Sequence, residues 1–394
     1  MNLLLLTNKA VYPVDDGHSF AMSQMISGLC MAGVGVDVLS MNTNKHPKPC
    51  SADASELPKG CSYETIPVFS KPNGLTALIN IFSKQSYFVS RFKSQNFYQA
   101  ILSKLKHKRY DVIQFEGVFV SLYLQKLKPF TVAPCVLRTH NIEYKLWNDR
   151  IAFMPWGLKR WYLKLQTNRL QKFEMQQWLQ SDAIIPISPE DQEFINVALN
   201  SPKPVKYIPV GLNIQTSEMH AKRDLLFIGS MDWKPNYLGI KWFFKHVWPS
   251  LLENRPDLTL TLVGRGAHTL FNNIPQVYCL DFIPKLAKVY AEHRLVIIPV
   301  FFGGGVRIKF LEAMANGKAV ITTPLGATGI SNNASGAFLL ADTPSEFCQQ
   351  IIKVLEDGML KSQLEKNAER LIEQNYNNSQ WGKELALYYL KLKV

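Results

Sequence analysis

Short apolar runs alternate with longer mixed segments along almost the whole chain. Residues 3–7, 34–39, 112–115, 135–138 and 183–187 have the length and composition of buried strands. Between the first two, Phe20, Met22, Met25, Ile26 and Leu29 recur at helical spacing over residues 19–31. A second series of strands follows at 225–228, 259–263, 277–280, 295–299 and 319–322. Helical segments lie among them at 238–252, 284–292 and 308–315. Strand alternating with helix predicts parallel sheets built from βαβ units. Two such series predict an α/β protein of two doubly wound domains with a cleft between them. The join is expected within residues 204–218, PVKYIPVGLNIQTSE, which mixes Pro, Gly and polar residues. Residues 42–71 are expected to form a long loop region with room for one strand, and residues 150–179 one long helix.

Composition agrees with this picture and narrows it. Of 394 residues, 47% are apolar and 19% charged, which excludes disorder, collagen and coiled coil. Two domains of ordinary size need neither disulfides nor structural metal. The six cysteines (Cys30, Cys50, Cys61, Cys135, Cys279 and Cys348) form no CxxC pair, and no Cys/His cluster has zinc spacing. A reducing compartment is therefore expected. The opening MNLLLLTNKAVYPVDDGH lacks the basic start and the long apolar run of a signal peptide. The longest apolar candidate for a membrane span, residues 295–306, is broken by Pro299 and three glycines. The expected location is cytoplasmic, with room for peripheral contact at the inner face of a membrane.

Charge adds a direction. The formal net charge is +13, and the whole excess lies between Lys84 and Lys172; the rest of the chain is neutral. Such segregation favours an anionic partner, either phospholipid or a phosphorylated acceptor. A nucleic-acid role rests on charge alone, with no recognised motif, and is not expected. Residues 150–179 combine Trp156, Trp161, Tyr162, Phe173 and Trp178 with Lys159, Arg160, Lys164, Arg169 and Lys172. That mixture resembles an interfacial amphipathic helix, although Trp161 and its neighbours would serve equally as core.

The densest chemistry is at residues 300–323, VFFGGGVRIKFLEAMANGKAVITT. A strand ends, three glycines (Gly303, Gly304 and Gly305) follow, and a helix begins. Glycines let a ligand approach the backbone, and the first turn of the helix offers free N–H groups to an anion. Arg307 and Lys309 add positive charge there. A phosphate or diphosphate is the expected guest. Glu312, three residues after Lys309, shares its helical face and is placed to accept two hydrogen bonds from a ribose diol.

These residues resemble the donor-site helix of retaining glycosyltransferases of the large family 4, which have the GT-B fold. The resemblance implies two Rossmann-like domains facing across a cleft. The first would bind acceptor (residues 1–205), the second a nucleotide-diphosphate sugar (206–375), and a last helix (376–394) would return to the first. The usual signature has two Glu residues eight apart. Glu312 matches the second, which contacts ribose; the first, which contacts the donor sugar, falls on Gly304. A subset carries a glycine run and R-x-K-x-LEAMA instead, as this chain does. Residues 224–244, DLLFIGSMDWKPNYLGIKWFF, resemble the strand–loop–helix that opens the donor domain, with Gly229 at the turn. The family's diphosphate-binding Arg falls on Ser230, and Lys234 is the nearest replacement. Ile283 lies in the segment whose backbone would hold the base.

In the first half, YPVDDGH resembles the loop after the first strand, so Gly17 is expected to face the donor phosphates. LRTHNIEYKLW resembles the strand-end segment that bears the cleft histidine, which makes His140 the candidate catalytic imidazole. Asn141 and Glu143 share that location. Glu116, just past its own strand, is a candidate acceptor-side carboxylate. The implied reaction moves a sugar to a hydroxyl of a glycan acceptor, lipid-linked in keeping with the basic segment. Arg307, Lys309 and the helix N-terminus would stabilise the departing diphosphate. No metal or other cofactor is expected, since no DxD motif lies in a suitable loop. A non-catalytic binding protein of the same shape stays open because of Gly304. A nucleotide-sugar epimerase would need more cleft carboxylates, and an NAD enzyme would need GxGxxG after the first strand.

Overall fold

The computed structural model describes residues 1–44, 57–152, 154–215, 221–281, 283, 286–330 and 336–392. It contains two compact units. The first comprises Met1–Gly211 and Asn378–Val394, the second Leu212–Asn377.

The sheet of the first unit contains β1 (Asn2–Thr7), β2 (Gly35–Thr43), β3 (Cys61–Val68), β4 (Val112–Glu116), β5 (Cys135–Thr139) and β6 (Ala183–Pro186). Their order is β3-β2-β1-β4-β5-β6, all parallel. The Leu3–Leu6 run of β1 is continuously apolar because helices cover both faces of the sheet. Leu4 and Leu6 join one core layer, Leu3 and Leu5 the other. The second unit contains β7 (Arg223–Ile228), β8 (Leu260–Val263), β9 (Val277–Leu280), β10 (His293–Ile298), β11 (Ala319–Thr322) and β12 (Leu339–Leu340). Its parallel order, β12-β11-β10-β7-β8-β9, repeats that of the first unit. In each sheet the winding reverses beside the first strand, between β1 and β4 and between β7 and β10. Open α/β sheets hold ligands outside the strand C-termini at such a reversal.

Helix Asn378–Lys391 packs within the first unit against helix Gly17–Met31. A Cβ on Gly382 would stand 2.1 Å from the Gly28 carbonyl oxygen, so glycine is what lets these backbones meet.

Several elements differ from the expectation. Residues 150–179 are not one helix. Helix Glu143–Ala152 ends before Pro155, and helix Leu158–Gln180 starts after Gly157, whose φ of 156° a side chain would resist. Residues 238–252 divide likewise into helices Lys234–His246 and Trp248–Asn254, the second with Pro249 in its first turn. The one strand allowed for within 42–71 is present as β3, paired with β2 over eight residues; Cys50 and residues 45–56 lie outside the described residues. The helix expected at 284–292 is Ala287–Ala291, and residues 284 and 285 lie outside the described ones. Among the described residues, no helix is long and apolar enough to cross a membrane.

Candidate active site

In the second unit, β7 ends at Ile228 and the chain turns at Gly229 into helix Lys234–His246. The helix buries Asn236, which bridges two loops. Its amide nitrogen donates to the Ser230 carbonyl (2.9 Å), and its amide oxygen accepts from Lys309 Nζ (2.6 Å). A Cβ on Gly229 would come within 2.5 Å of that amide nitrogen. Gly229, Ser230 and Lys309, far apart in sequence, thus meet through a residue the sequence reading did not single out. The available signal was KPN at a helix start beside a strand turn.

The glycine run leaves β10 and leads into helix Ile308–Ala315. Gly303 has φ +98°, and a Cβ there would crowd Pro235 at 3.3 Å and touch Trp233 and Arg307. Arg307 folds back over the run, donating to the carbonyls of Gly304 (2.7 Å) and Gly303. Its guanidinium lies over the Trp233 ring, 5.2 Å from the centroid. Only 5% of Arg307 is exposed, its Nε has no partner, and burial lowers its pKa to about 10. Arg307 is thus built into the loop rather than held out toward solvent. It is also the N-cap residue, and no side chain caps this helix. An uncapped N-terminus keeps its first N–H groups free for an anion.

Lys309 follows in the first turn, above the Phe227 ring. Burial, then the Arg307 charge, hold its pKa well below the usual lysine range. An arriving anion would favour its charged form. Glu312 is half-buried one turn on; burial raises it to about 7, with the Tyr290 phenol pulling the other way. Lys234 is exposed at the first position of its helix. Gly305 is in the left-handed region, with φ 82°. Ile283 is half-buried after β9, and its neighbours 282 and 284 lie outside the described residues.

The first unit is arranged differently at its own reversal point. Glu116 ends β4 beside Arg138 of β5, its register partner. Both are wholly buried, with Arg138 Nη1 donating to Glu116 Oε1 at 2.7 Å. His140 Nε2 is 2.6 Å from the same oxygen, and Gln114 donates to the other at 2.6 Å. Tyr389 of helix Asn378–Lys391 donates in turn to Gln114. Burial alone would raise the Glu116 carboxyl; the Arg138 charge and the His140 hydrogen bond outweigh it and hold it at about 2. This corrects the expectation that Glu116 meets an acceptor. With no exposed surface, it orients His140 instead. His18, which sequence reading passed over, lies against His140 with ring centroids 4.4 Å apart. Burial, then the His140 charge, lower its pKa well below the usual value.

Gly17 follows the loop after β1. It is the exposed first residue of its helix, whose N-terminus is already filled by the Asp16 carboxylate in a capping box with Ser19. Lys9 pairs with that carboxylate. The first-turn N–H groups there are already partly satisfied by this ion-paired carboxylate. Asn141 is half-buried between β5 and helix Glu143–Ala152. Glu143 belongs to a separate carboxylate pair, since its N–H and that of Tyr144 donate to buried Glu174 (both 3.1 Å). Burial raises Glu143 to about 7, against the pull of Arg91, and Glu174 to about 8.

Residues 222–357 match the family described as Glycosyl transferases group 1. That match lies within the second unit. The chain is also similar to an uncharacterized 44.6 kDa protein of the cps region of Klebsiella pneumoniae, 24% identical over 69% of this chain and 72% of that one. An uncharacterized glycosyltransferase of Methanocaldococcus jannaschii is 27% identical over 53% of this chain and 57% of its own. Among solved structures, sucrose-phosphate synthase from Thermosynechococcus elongatus superposes with a TM-score of 0.71 at 15% identity, covering 100% of this chain and 99% of that one. WaaG, a glycosyltransferase involved in lipopolysaccharide biosynthesis, gives 0.66 at 15%, covering 98% and 99%. Anabaena HepE in complex with UDP-glucose gives 0.63 at 14%, covering 99% of each chain. At such identities the likeness concerns the fold, which is GT-B. Within the residues matched by the family lie all the Gly229, Asn236, Lys309 and Glu312 contacts described above.

Proposed function

We propose that this protein is a glycosyltransferase that moves a sugar, with retention, from a nucleotide-diphosphate sugar to a hydroxyl of a lipid-linked glycan in surface polysaccharide assembly. The observation that carries the reading is the uncapped start of helix Ile308–Ala315 at the β7/β10 reversal, with Lys309 in its first turn. A diphosphate there would gain free N–H donors and a partly desolvated lysine. In the reaction, the bond from the sugar C1 to the diphosphate oxygen breaks and a bond to the acceptor oxygen forms. The acceptor proton leaves with the diphosphate. Lys309 and the helix N-terminus stabilise the charge that develops on the departing oxygen. Arg307 supports them by fixing the glycine run. Glu312 holds the ribose diol, and His140, oriented by Glu116, serves the acceptor hydroxyl. No metal is required in this scheme. The cps-region relative and the lipopolysaccharide enzyme support the pathway class.

Gly304 favours a second reading, a nucleotide-sugar binder without transfer, because the family's sugar-contact carboxylate is missing there. Thermal stabilisation by a panel of nucleoside diphosphates and nucleotide sugars tests the donor site. A shift with one base series, lost in Lys309→Ala, is expected. Product analysis with the best donor then separates the readings: a glycoside of retained configuration supports transfer, and binding without turnover supports the binder. If no nucleotide shifts the parent protein, both fail.

A further inference from the structure

Helix Gly74–Ile79 buries none of its residues. Its sequence is GLTALI, so Leu75, Leu78 and Ile79 stand on the surface, and Phe82 just beyond is 91% exposed. A surface helix ordinarily turns its apolar stripe inward. This one is anchored by polar groups and turns the stripe out. Asn73 caps it, and the Tyr87 hydroxyl bonds both the Asn73 N–H (2.9 Å) and the Thr76 hydroxyl (2.7 Å). Behind it, Gln166 donates to the Asn80 side chain (3.0 Å), and Arg169 donates to the carbonyls of Asn80 (2.9 Å) and Ile81 (2.8 Å). The segment is thus fixed to helix Leu158–Gln180 at one stripe.

Stepping back along that stripe by helical turns leads to Leu158. Leu158 is 88% exposed, and Trp156 beside it 89%. Arg160 holds the turn by donating to the Met154 carbonyl (2.8 Å), with its guanidinium 4.7 Å from the Trp156 ring centre. At 1.5 Å rise per residue, the two apolar prongs lie on the order of 12–16 Å apart along the helix. Positive charge predominates beside them in the sequence, with Asp149 the nearest acidic residue to the second prong. Between Glu64 and Asp111 the sequence has no acidic residue. Lys71 and Lys84 flank the first prong, and Lys159 and Lys164 the second, all exposed. A second copy of this chain would bring like charges together. The complementary partner has an anionic surface over an apolar interior. Lysines at the headgroups, tryptophan at the boundary and Leu, Ile and Phe below it is the arrangement such a layer selects.

We propose that residues 74–82 and 156–161 together insert into an anionic lipid leaflet and dock the first unit on the membrane. The proposal deepens the lipid-linked acceptor reading, but its test uses neither donor nor acceptor, so each can fail alone. The full chain is sedimented with vesicles of phosphatidylglycerol and phosphatidylcholine, or of phosphatidylcholine alone. Binding at least tenfold tighter to the anionic vesicles is expected. The double variant Leu78→Glu/Phe82→Glu should lose at least tenfold while keeping the parent thermal transition. Bromine-labelled lipids should quench tryptophan emission, less so in Trp156→Phe/Trp161→Phe. Unchanged binding of the double variant would overturn the proposal, as would binding without bromine quenching, which signals adsorption to headgroups only. A dimer that the double variant dissolves, with no vesicle binding by the parent, would overturn it in favour of a self-association face.

Discussion

The two units have one strand order and two opposite ways of treating the point where it reverses. In the first, a carboxylate, a guanidinium and an imidazole close on one another beneath the surface, and the adjacent helix is capped by its own Asp16. In the second, the adjacent helix has no side-chain cap, and its two cations have no carboxylate among their hydrogen-bond partners. Topology alone marks both as ligand sites. Charge bookkeeping separates them: the first is internally neutralised, the second lacks an anion. A diphosphate suits the second, whereas the helix start of the first already holds the Asp16 carboxylate with its Lys9 partner.

The largest effect should come from breaking the closed side. Glu116→Ala leaves the Arg138 guanidinium buried and unpaired, which costs about 3–5 kcal/mol. Calorimetry should show the transition of the first unit falling well below that of the parent. Replacing Arg138 with Met in the same background should restore most of it, because a neutral side chain needs no partner. A Glu116→Ala protein as stable as the parent would mean that the carboxylate is not structural, and the acceptor role would return.

The open side should respond in affinity rather than stability. Lys309→Met removes a charge-assisted bond to the anion worth about 1.5–3 kcal/mol, or roughly ten- to hundredfold in nucleoside diphosphate affinity. Relief of the lysine's desolvation offsets the loss of its bond to the Asn236 amide oxygen, so the variant should unfold close to the parent temperature. Titration calorimetry and thermal melts on one preparation check both. A third change sharpens the contrast between the two helix starts. Asp16→Ala removes a working cap and should cost about 1 kcal/mol of stability, with nucleotide affinity unchanged. If Asp16→Ala weakened nucleotide binding as well, the first-loop helix would belong to the donor site after all.

Much of this was legible in the sequence because apolar runs record which strands are covered on both faces. The glycine run, Lys309 and Glu312 were legible because a strand end, a turn and a helix start are local events. What escaped depends on contacts between distant segments. Asn236, which holds Ser230, reaches Lys309 across a separation of 73 residues, and Tyr389 reaches Gln114 across 275. Nothing beside either residue announces the partner. Glu116 was found but misassigned for the same reason: its burial is set by Arg138 and by the returning helix, not by its own surroundings. The break at residues 155–157 had a visible cause in Pro155 and Gly157, which the aromatic and basic periodicity on either side obscured.

The smallest predicted effect distinguishes Glu116 from Glu312 by the sign of their pH dependence. Glu116 is held near 2 against an ordinary 4.5, so the stability it confers is full above 4.5 and is lost as pH falls toward 2. Glu312 is raised from 4.5 to about 7, so between those values the folded state binds more protons than the unfolded state. Its contribution is therefore present at pH 4.5 and declines as pH rises through 7. Water reaches the half-buried carboxylate and screens the effect to under about 1 kcal/mol across that window. Glu143 and Glu174 slope the same way in the first unit, so only a difference curve isolates Glu312. Melting curves of Glu312→Gln minus parent should rise between pH 4.5 and 7 and flatten above. With saturating nucleoside diphosphate the rise should shrink, since a ribose diol held by Glu312 requires the carboxylate. A difference curve unaffected by nucleotide would detach Glu312 from the ligand and leave it a buried acid facing Tyr290.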